Sequence, residues 1–251
     1  YGSGTGLSPS NGNLDPREGG VTRFNHRFGD PETKDKGIWA NGEYPLKDMD
    51  LYFFGGASRR HANGAGFFRR PGDDRTVRSL WPVGFLPFID SEVDDRSGGI
   101  GVKGKDSDWN WDLSTAYGTN ILDYRTSNSA NVTLGNASPK AFYSGQLKFD
   151  QWTTNFDLTT SFKGGLPTPL KFATGAEYRK EKYTIGAGEP DSYRNGGATI
   201  LDGPNAGALA AVGAQVFPGF KPSDAGSHSR DSKALYVDLD KQAAAELDLV
   251  D

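Results

Sequence analysis

The feature that most constrains the fold is a strict alternation along residues 108–120, DWNWDLSTAYGTN. Four odd positions carry the large side chains of Trp109, Trp111, Leu113 and Tyr117, whereas every even position carries a small or polar residue. A helix would place Trp109 and Trp111 about 200° apart, at roughly 100° per residue. In a strand the two rings share one face. The alternation therefore predicts a long β-strand with one apolar face and one polar face.

The same period-two pattern recurs along the chain. In residues 152–162 and 170–179, large apolar residues again alternate with small or polar ones. Weaker candidate strands occupy residues 21–28, 38–44, 51–60, 98–104, 233–240 and 245–250. The sequence therefore predicts an all-β, antiparallel fold of about eight to nine strands.

Each predicted strand divides its side chains between two faces. The apolar face is predicted to carry Trp109, Trp111, Leu113, Tyr117, Trp152, Phe156, Leu158 and Phe172. The polar face is predicted to carry Asn110, Asp112, Asn155, Asp157, Lys171, Glu177 and Arg179. In a soluble sandwich the apolar face would lie in the protein core. In a transmembrane barrel it would face lipid, and the polar face would line the lumen. Aromatic residues near the strand ends are typical of membrane girdles and favour the barrel.

The connections between the candidate strands are alternately short and long. Short turns are predicted at 46–50, 104–108, 164–169 and 241–244. Long segments rich in Gly, Pro, Asn and Asp are predicted at 61–90, 122–143 and 184–231. In an up-and-down sheet this alternation places every long loop at the same end. Long loops are uncommon in compact domains and are usually functional, so we expect a functional loop cluster at that end.

Composition and missing motifs exclude several classes of protein. The 251 residues include no Cys, which excludes disulfides, thiolate zinc sites and Cys nucleophiles. A net charge of −4 without a basic stripe argues against nucleic acid as a partner. The sequence has neither a G-x-S-x-G elbow nor the GK[ST] ending of a P-loop, and its three His residues are far apart. We therefore expect a protein that is not an enzyme and has no metal or cofactor.

One predicted loop carries charged and aromatic residues that are candidates for ligand binding. They are Arg69, Arg70, Asp73, Asp74, Arg75, Trp81 and Phe85. Guanidinium groups can grip carboxylate or hydroxyl oxygens, and an aromatic ring can stack on a sugar or a siderophore. In the alternative, the charges pair with one another and the rings pack the loop against itself or a neighbouring loop. The sequence leaves both alternatives open.

Three stretches resemble the barrel of TonB-dependent outer-membrane receptors. They are LYFFGGASRRHANGAGFFRRPGDDRTVRSLWPVGFLPFIDSEVDD (51–95), FYSGQLKFDQWTTNFDL (142–158) and FPGFKPSDAGSHSRDSKALYVDLD (217–240). The resemblance implies a receptor and transporter in the bacterial outer membrane. Such a protein contacts outer-membrane lipid, binds a scarce small-molecule nutrient with its extracellular loops, and imports it with energy from the TonB system. Family ligands include iron–siderophore complexes, cobalamin and carbohydrates.

The sequence departs from the full family pattern. The N-terminal plug, through which TonB acts, has no counterpart in it. A plugged transporter has 22 strands, and the long loops here leave room for only about half of them at roughly 10 residues each. Residues 1–251 are therefore expected to form a partial transmembrane barrel, one segment of a larger barrel domain with open edges. The alternatives are a self-contained eight-stranded outer-membrane barrel and a soluble glycan-binding β-sandwich.

Overall fold

A computed structural model describes residues 26–163 and 169–241. They form one sheet whose seven strands are β1 (Glu32–Leu46), β2 (Met49–Ala65), β3 (Phe88–Asp106), β4 (Trp109–Ser127), β5 (Phe142–Phe162), β6 (Leu170–Gly186) and β7 (Gly226–Lys241). The strands follow one another in chain order, and every neighbouring pair is antiparallel. This confirms the all-β, up-and-down prediction. The candidate strand at 245–250 and most of the one at 21–28 lie outside the described residues.

The strands are much longer than their alternating segments suggested. They have between 15 and 21 residues, whereas strands of globular proteins usually have about 5–6. β3 begins at Phe88 rather than near residue 98, and β5 begins at Phe142 rather than at residue 152. In the additional half of β3 charged residues occupy both faces. In that of β5 the charged residues share a face with Trp152, whereas Leu147 and Phe149 lie on the other face. The apolar face of the alternating segments therefore does not continue, although the strand pairing does.

The short connections are tight hairpins. Lys47 and Asp48 join β1 to β2, and Ser107 and Asp108 join β3 to β4. Lys47 and Ser107 have positive φ values of 50° and 54°, as the first central residue of a primed hairpin turn requires. The connection from β5 to β6 includes residues 164–168, which lie outside the described part, as do residues 242–251.

The long connections all lie at the opposite end of the sheet. We name them loop A (66–87), loop B (128–141) and loop C (187–225). They are narrower than the predicted ranges of 61–90, 122–143 and 184–231, because the strands extend into those ranges. A short 3-10 helix (Val132–Ala137) lies in loop B, and a single α-helical turn (Pro190–Tyr193) lies in loop C.

Burial is concentrated in the loops rather than on the sheet. Seven of the eight buried hydrophobic residues lie in or beside the loops, and the eighth, Phe142, begins β5. Large side chains along the strands are exposed, as Ile38 (77%) and Leu235 (86%) illustrate. The described residues form a single sheet in which β1 and β7 do not pair, so that the sheet is not closed. No helix in the described ranges is both long enough and apolar enough to cross a membrane.

Candidate functional site: a banded face, a polar face and a loop cap

One face of the sheet carries a continuous apolar band near the short turns. Directly paired residues of neighbouring strands place their side chains on the same face, and Leu113 pairs with both Val102 and Phe156. All eight residues of the predicted apolar face lie on this face. Across the seven strands the band contains Ile38, Tyr44, Leu46, Met49, Leu51, Phe53, Ile100, Val102, Trp109, Trp111, Leu113, Tyr117, Trp152, Phe156, Leu158, Phe162, Leu170, Phe172, Tyr178, Leu235, Val237 and Leu239. We call this side of the sheet the banded face.

The band ends abruptly toward the loops. Closer to the loops on the same face, the strands carry Lys36, Arg59, Asp94, Lys148 and Lys180. Each strand therefore has an apolar half near the turns and a charged half near the loops. A face that packed against a protein core over its full length would not change character in this way.

The loop-side boundary of the band lies at a different height on different strands. In the register, Ile38 of β1 aligns step by step with Ser229 of β7. The band ends at Ile38 in β1 but at Leu235 in β7, which is six residues closer to the turns (229 to 235) over six strand steps. The strands between them do not change evenly, because the band ends four residues closer to the turns in β2, β3 and β6 but only two residues closer in β4 and β5.

The opposite face is mainly polar along the same strand segments, with Trp39 stacked on Phe54 as an aromatic exception near its β1 edge. The register places on it all seven residues predicted for the polar face. Asp112 pairs directly with Asp157, and Asn155 pairs directly with Glu177. Small residues between them, such as Ser114, keep this polar face shallow and open to water.

Two tyrosines lie flat across the polar face. Tyr52 is paired with Gly101, and its hydroxyl reaches over that strand to donate to Asp112 Oδ1 at 2.7 Å. A Cβ at position 101 would lie 2.2 Å from the Tyr52 ring. Glycine is therefore required at this position if the ring is to cross the strand and reach the carboxylate.

The same arrangement occurs from the other side of the sheet. Tyr236 of β7 is paired with Gly175 and donates to Asp157 Oδ1 at 2.7 Å. A Cβ at position 175 would meet the Tyr236 ring at 2.4 Å and the Phe156 carbonyl oxygen at 2.8 Å. Sequence reasoning missed the Tyr52–Gly101 and Tyr236–Gly175 pairs. A glycine that lies opposite an aromatic ring can be recognised only once the strand register is known.

The three long loops pack together into one body, which we call the loop cap. Its core consists of Val77 and Phe85 from loop A with Ala130 and Val132 from loop B. Ala210 of loop C packs against this core. The three loops therefore contribute to one shared core at the end of the sheet.

Asn131 connects loops B and C through its side chain, which is fully buried. Its Nδ2 donates to the carbonyl oxygens of Asp191 and Arg194, both at 2.9 Å. Its Oδ1 accepts from the Thr133 hydroxyl at 2.7 Å and from the Gly213 amide at 3.3 Å. Sequence reasoning missed this role, because the partners of Asn131 come from segments far apart in the chain.

The charged ligand candidates of loop A are engaged within the cap. Arg69 is 7% exposed and donates from Nε to Gln215 Oε1 at 3.1 Å, and burial lowers the pKa of Arg69. Arg75 grips Asp73 through two bonds of 2.8 and 2.7 Å. Burial acts to raise the pKa of Asp73, but the Arg75 bonds outweigh it and leave that pKa below its usual value.

The other candidates also have partners in the cap. Asp74 accepts a hydrogen bond from Asn205 Nδ2 at 2.8 Å, and the Arg70 carbonyl accepts one from the Thr76 hydroxyl at 2.8 Å. Phe85 is 1% exposed, and Trp81 stacks on it with ring centroids 5.2 Å apart. These contacts follow the self-packing alternative for loop A, whereas its role in ligand binding stays a prediction.

Comparisons of the chain with protein-family models, with curated proteins and with solved structures found no match. Within the described ranges, no group of three or more His, Asp or Glu side chains is arranged to hold a metal ion. The functional inference therefore depends on the banded face, the polar face and the loop cap, together with the resemblance in sequence.

Proposed function

We propose that this chain forms part of the wall of an outer-membrane β-barrel, in a nutrient receptor and transporter of the TonB-dependent type. The observation that carries the proposal is the apolar band, which continues across all seven strands and gives way to polar and charged residues toward the loops. Exposed large hydrophobic residues in such number need a covering. Lipid hydrocarbon provides such a covering, and it would meet the band on all seven strands.

The height of the band fits a membrane. In β4 it spans Trp109 to Tyr117, nine residues, or about 30 Å of strand. A tilt of roughly 35° reduces this length to about 24 Å across the membrane, close to the apolar band of about 25 Å on known outer-membrane barrels.

Aromatic pairs occur at both borders of the band, as expected for interfacial girdles. Near the turns, the Trp109 ring lies edge-on to Phe162 and Phe172, with centroids 6.5 and 6.0 Å apart. Near the loops, Tyr117 and Trp152 lie side by side with centroids 6.2 Å apart. Their amphipathic rings suit the depth at which hydrocarbon gives way to headgroups.

The charged strand halves and the loop cap support a receptor at the cell surface. They extend beyond the band by about nine further residues in β4 (119–127), roughly 30 Å of strand. A folded cap at that distance presents a fixed surface to a nutrient, and the polar face lines a path for it. The proposed role is binding and import without catalysis, and the TonB dependence is supported by the sequence resemblance.

The two alternatives fit these features less well. A sandwich needs a second sheet on the apolar face, whereas the described residues form one sheet. A self-contained eight-stranded barrel needs paired edges, and β1 and β7 have free edges within the described ranges. A segment of a larger barrel accounts for both observations.

Spin labels at adjacent positions test which face meets hydrocarbon. Because the chain has no Cys, Leu113→Cys and Ser114→Cys each give a single label, and the two neighbours point to opposite faces. In reconstituted vesicles, the label at 113 should be accessible to oxygen, and the label at 114 to a water-soluble nickel complex. Greater nickel access at 113 than at 114 would refute the proposal.

Labelling of intact cells tests the orientation. Leu209 in loop C is 91% exposed, whereas Lys47 lies in a turn at the other end of the sheet. A membrane-impermeant maleimide should modify Leu209→Cys in intact cells, and Lys47→Cys only after the cells are broken. The reverse pattern would place the loop cap inside the cell and exclude a surface receptor.

A further inference from the structure

We infer that the banded face binds a phosphate-bearing lipid at its loop-side boundary on β6 and β7. This inference rests on the proposed function, because it needs the band to lie in a membrane. It adds a specific ligand class, an acylated lipid with an anionic phosphate headgroup, at a defined place on the sheet.

Three lysines form the headgroup part of this site. Lys180 and Lys182 lie two residues apart on the banded face of β6, about 6.6 Å along the strand. Lys233 of β7 pairs with Tyr178 and lies diagonal to Lys180, at roughly 7 Å. All three side chains are exposed. Tyr178 marks the edge of the band, so these ammonium groups lie at the depth of lipid headgroups.

Several other basic residues on the banded face have acidic partners, whereas Lys36 and Arg96 form no ion pair within the described ranges. Arg59 contacts Asp94 at 2.8 Å and Glu92 at 3.4 Å. Lys34 contacts Glu32 at 3.6 Å, and Lys148 contacts Asp150 at 3.1 Å. Lys180, Lys182 and Lys233 also form no ion pair in the part of the chain that the structure describes, and they lie together on two adjacent strands.

The acidic residues near the three lysines do not neutralise them. Asp231 pairs with Lys180 across the ladder, and Asp150 pairs with Lys182. Asp150 is already held by Lys148 and by the Tyr117 hydroxyl at 2.7 Å. The three lysines and Asp231 together carry a net charge of +2. This charge complements that of a phosphate monoester, which is about −1.5 to −2.

An apolar groove lies directly below the lysines and suits an acyl chain. Ala176 forms its floor, because it pairs with Phe156 on one side and Leu235 on the other. Tyr178 and Lys233 close the loop-side end of the groove, whose volume is about 720 Å³. Lys233 thus lines the groove and also belongs to the lysine cluster. A headgroup site continuous with an acyl-chain groove is the arrangement that a phosphorylated lipid requires.

The test uses the full chain in phosphatidylcholine vesicles, with a single spin label introduced by Leu235→Cys at the rim of the groove. Titration with diphosphorylated lipid A should immobilise the label. The same lipid without its phosphates, and inorganic phosphate alone, should leave the label mobile at equal concentration. An equal response to the dephosphorylated lipid or to inorganic phosphate would overturn the inference.

Two sets of variants separate the parts of the site. Combined Lys180→Gln, Lys182→Gln and Lys233→Gln should weaken binding of lipid A by about tenfold or more. Lys34→Gln with Lys36→Gln, on the same face of β1, is the matched control and should leave binding unchanged. Ala176→Phe fills the groove while keeping the lysines, and it should also abolish immobilisation. If the triple variant bound lipid A as tightly as the unchanged chain, the proposed lysine site would be wrong.

The outcome also distinguishes this inference from the proposed function. If the label at 113 does not lie in hydrocarbon, the membrane proposal itself fails. If that label does lie in hydrocarbon while the label at 235 shows no preference for phosphate, only the lipid site is refuted.

Discussion

Asp112 and Asp157 lie directly opposite each other on neighbouring strands, at the centre of the polar face. Like charges in such a pair destabilise a sheet. Here each carboxylate accepts a hydrogen bond from a tyrosine, Tyr52 on one side and Tyr236 on the other. The four side chains form a row from β2 to β7, and we infer that the hydroxyl bonds offset the repulsion between the two carboxylates.

Removing one hydroxyl should expose that repulsion. Tyr52→Phe is expected to lower the free energy of unfolding by about 0.5–1.5 kcal/mol, because Asp112 loses a hydrogen bond to its charged group. Urea unfolding in vesicles measures the change. Tyr44→Phe is the control, since Tyr44 is 64% exposed and lies on the banded face. In the Tyr52→Phe background, Asp112→Asn should restore stability; a further loss would show that repulsion is not the cause.

A methyl group at Gly175 should disrupt the same row. Its Cβ would lie 2.4 Å from the Tyr236 ring, 2.5 Å from Asp157 Oδ1 and 2.8 Å from the backbone at Phe156. Gly175→Ala is therefore expected to cost about 1–3 kcal/mol. Gly118→Ala is the matched control on the same face, where the nearest atom is 3.8 Å away. Equal midpoints of thermal unfolding for the two variants would contradict this account.

The turn-side halves of the strands could be predicted from the sequence, and the loop-side halves could not. Between Trp109 and Tyr117, apolar and polar residues alternate because the two faces meet different surroundings. Beyond residue 119, both faces carry polar or charged residues for much of the strand, so that no contrast marks the strand while its backbone pairing continues.

The candidate site depends on the pairing register between neighbouring strands, which could not be predicted from the sequence. The Asp112–Asp157 pair joins residues 45 positions apart (112 to 157), and a shift of one residue would move every side chain of a strand to the other face. The loop cap is still less accessible to sequence reasoning. Its polar residues look like those of any surface loop until Asn131 is seen to bond to segments 60 and 63 residues away.

Asn131 provides a sharp test of the loop cap. Asn131→Asp keeps the shape and the acceptor oxygen but removes both donors, and it directs a carboxylate at the carbonyls of Asp191 and Arg194. We expect a loss on the order of 3 kcal/mol, confined to the cap. Limited proteolysis should show faster cleavage in loops B and C while the strands stay protected.

The control for that substitution is Asn195→Asp in loop C. The Asn195 Oδ1 accepts from the Gly197 amide at 2.9 Å on an exposed surface, and aspartate preserves this acceptor. Cleavage of the Asn195→Asp protein should match that of the unchanged chain. If Asn131→Asp also matched it, the two donor bonds would contribute nothing to the loop cap.

The Asp73–Arg75 pair should make loop A sensitive to acid. The folded-state pKa of Asp73 lies below its usual value, which is about 3.9 for a free side chain. For a lowered pKa, the stabilisation is fully present above the usual value and is lost as pH falls through the folded-state pKa. Pepsin cleavage of loop A should therefore accelerate below about pH 4, and Asp73→Asn should remove most of that pH dependence.

The carboxylate can be followed directly, because the Arg75 amide donates to Asp73 Oδ1 at 2.9 Å. The chemical shift of this amide should titrate with a midpoint below about 3.9. Arg75→Gln keeps the amide but removes the guanidinium bonds of 2.8 and 2.7 Å. The burial of Asp73, which acts to raise its pKa, is then opposed mainly by the backbone bond, so the midpoint must move upward. An unchanged midpoint would mean that the guanidinium does not lower the Asp73 pKa.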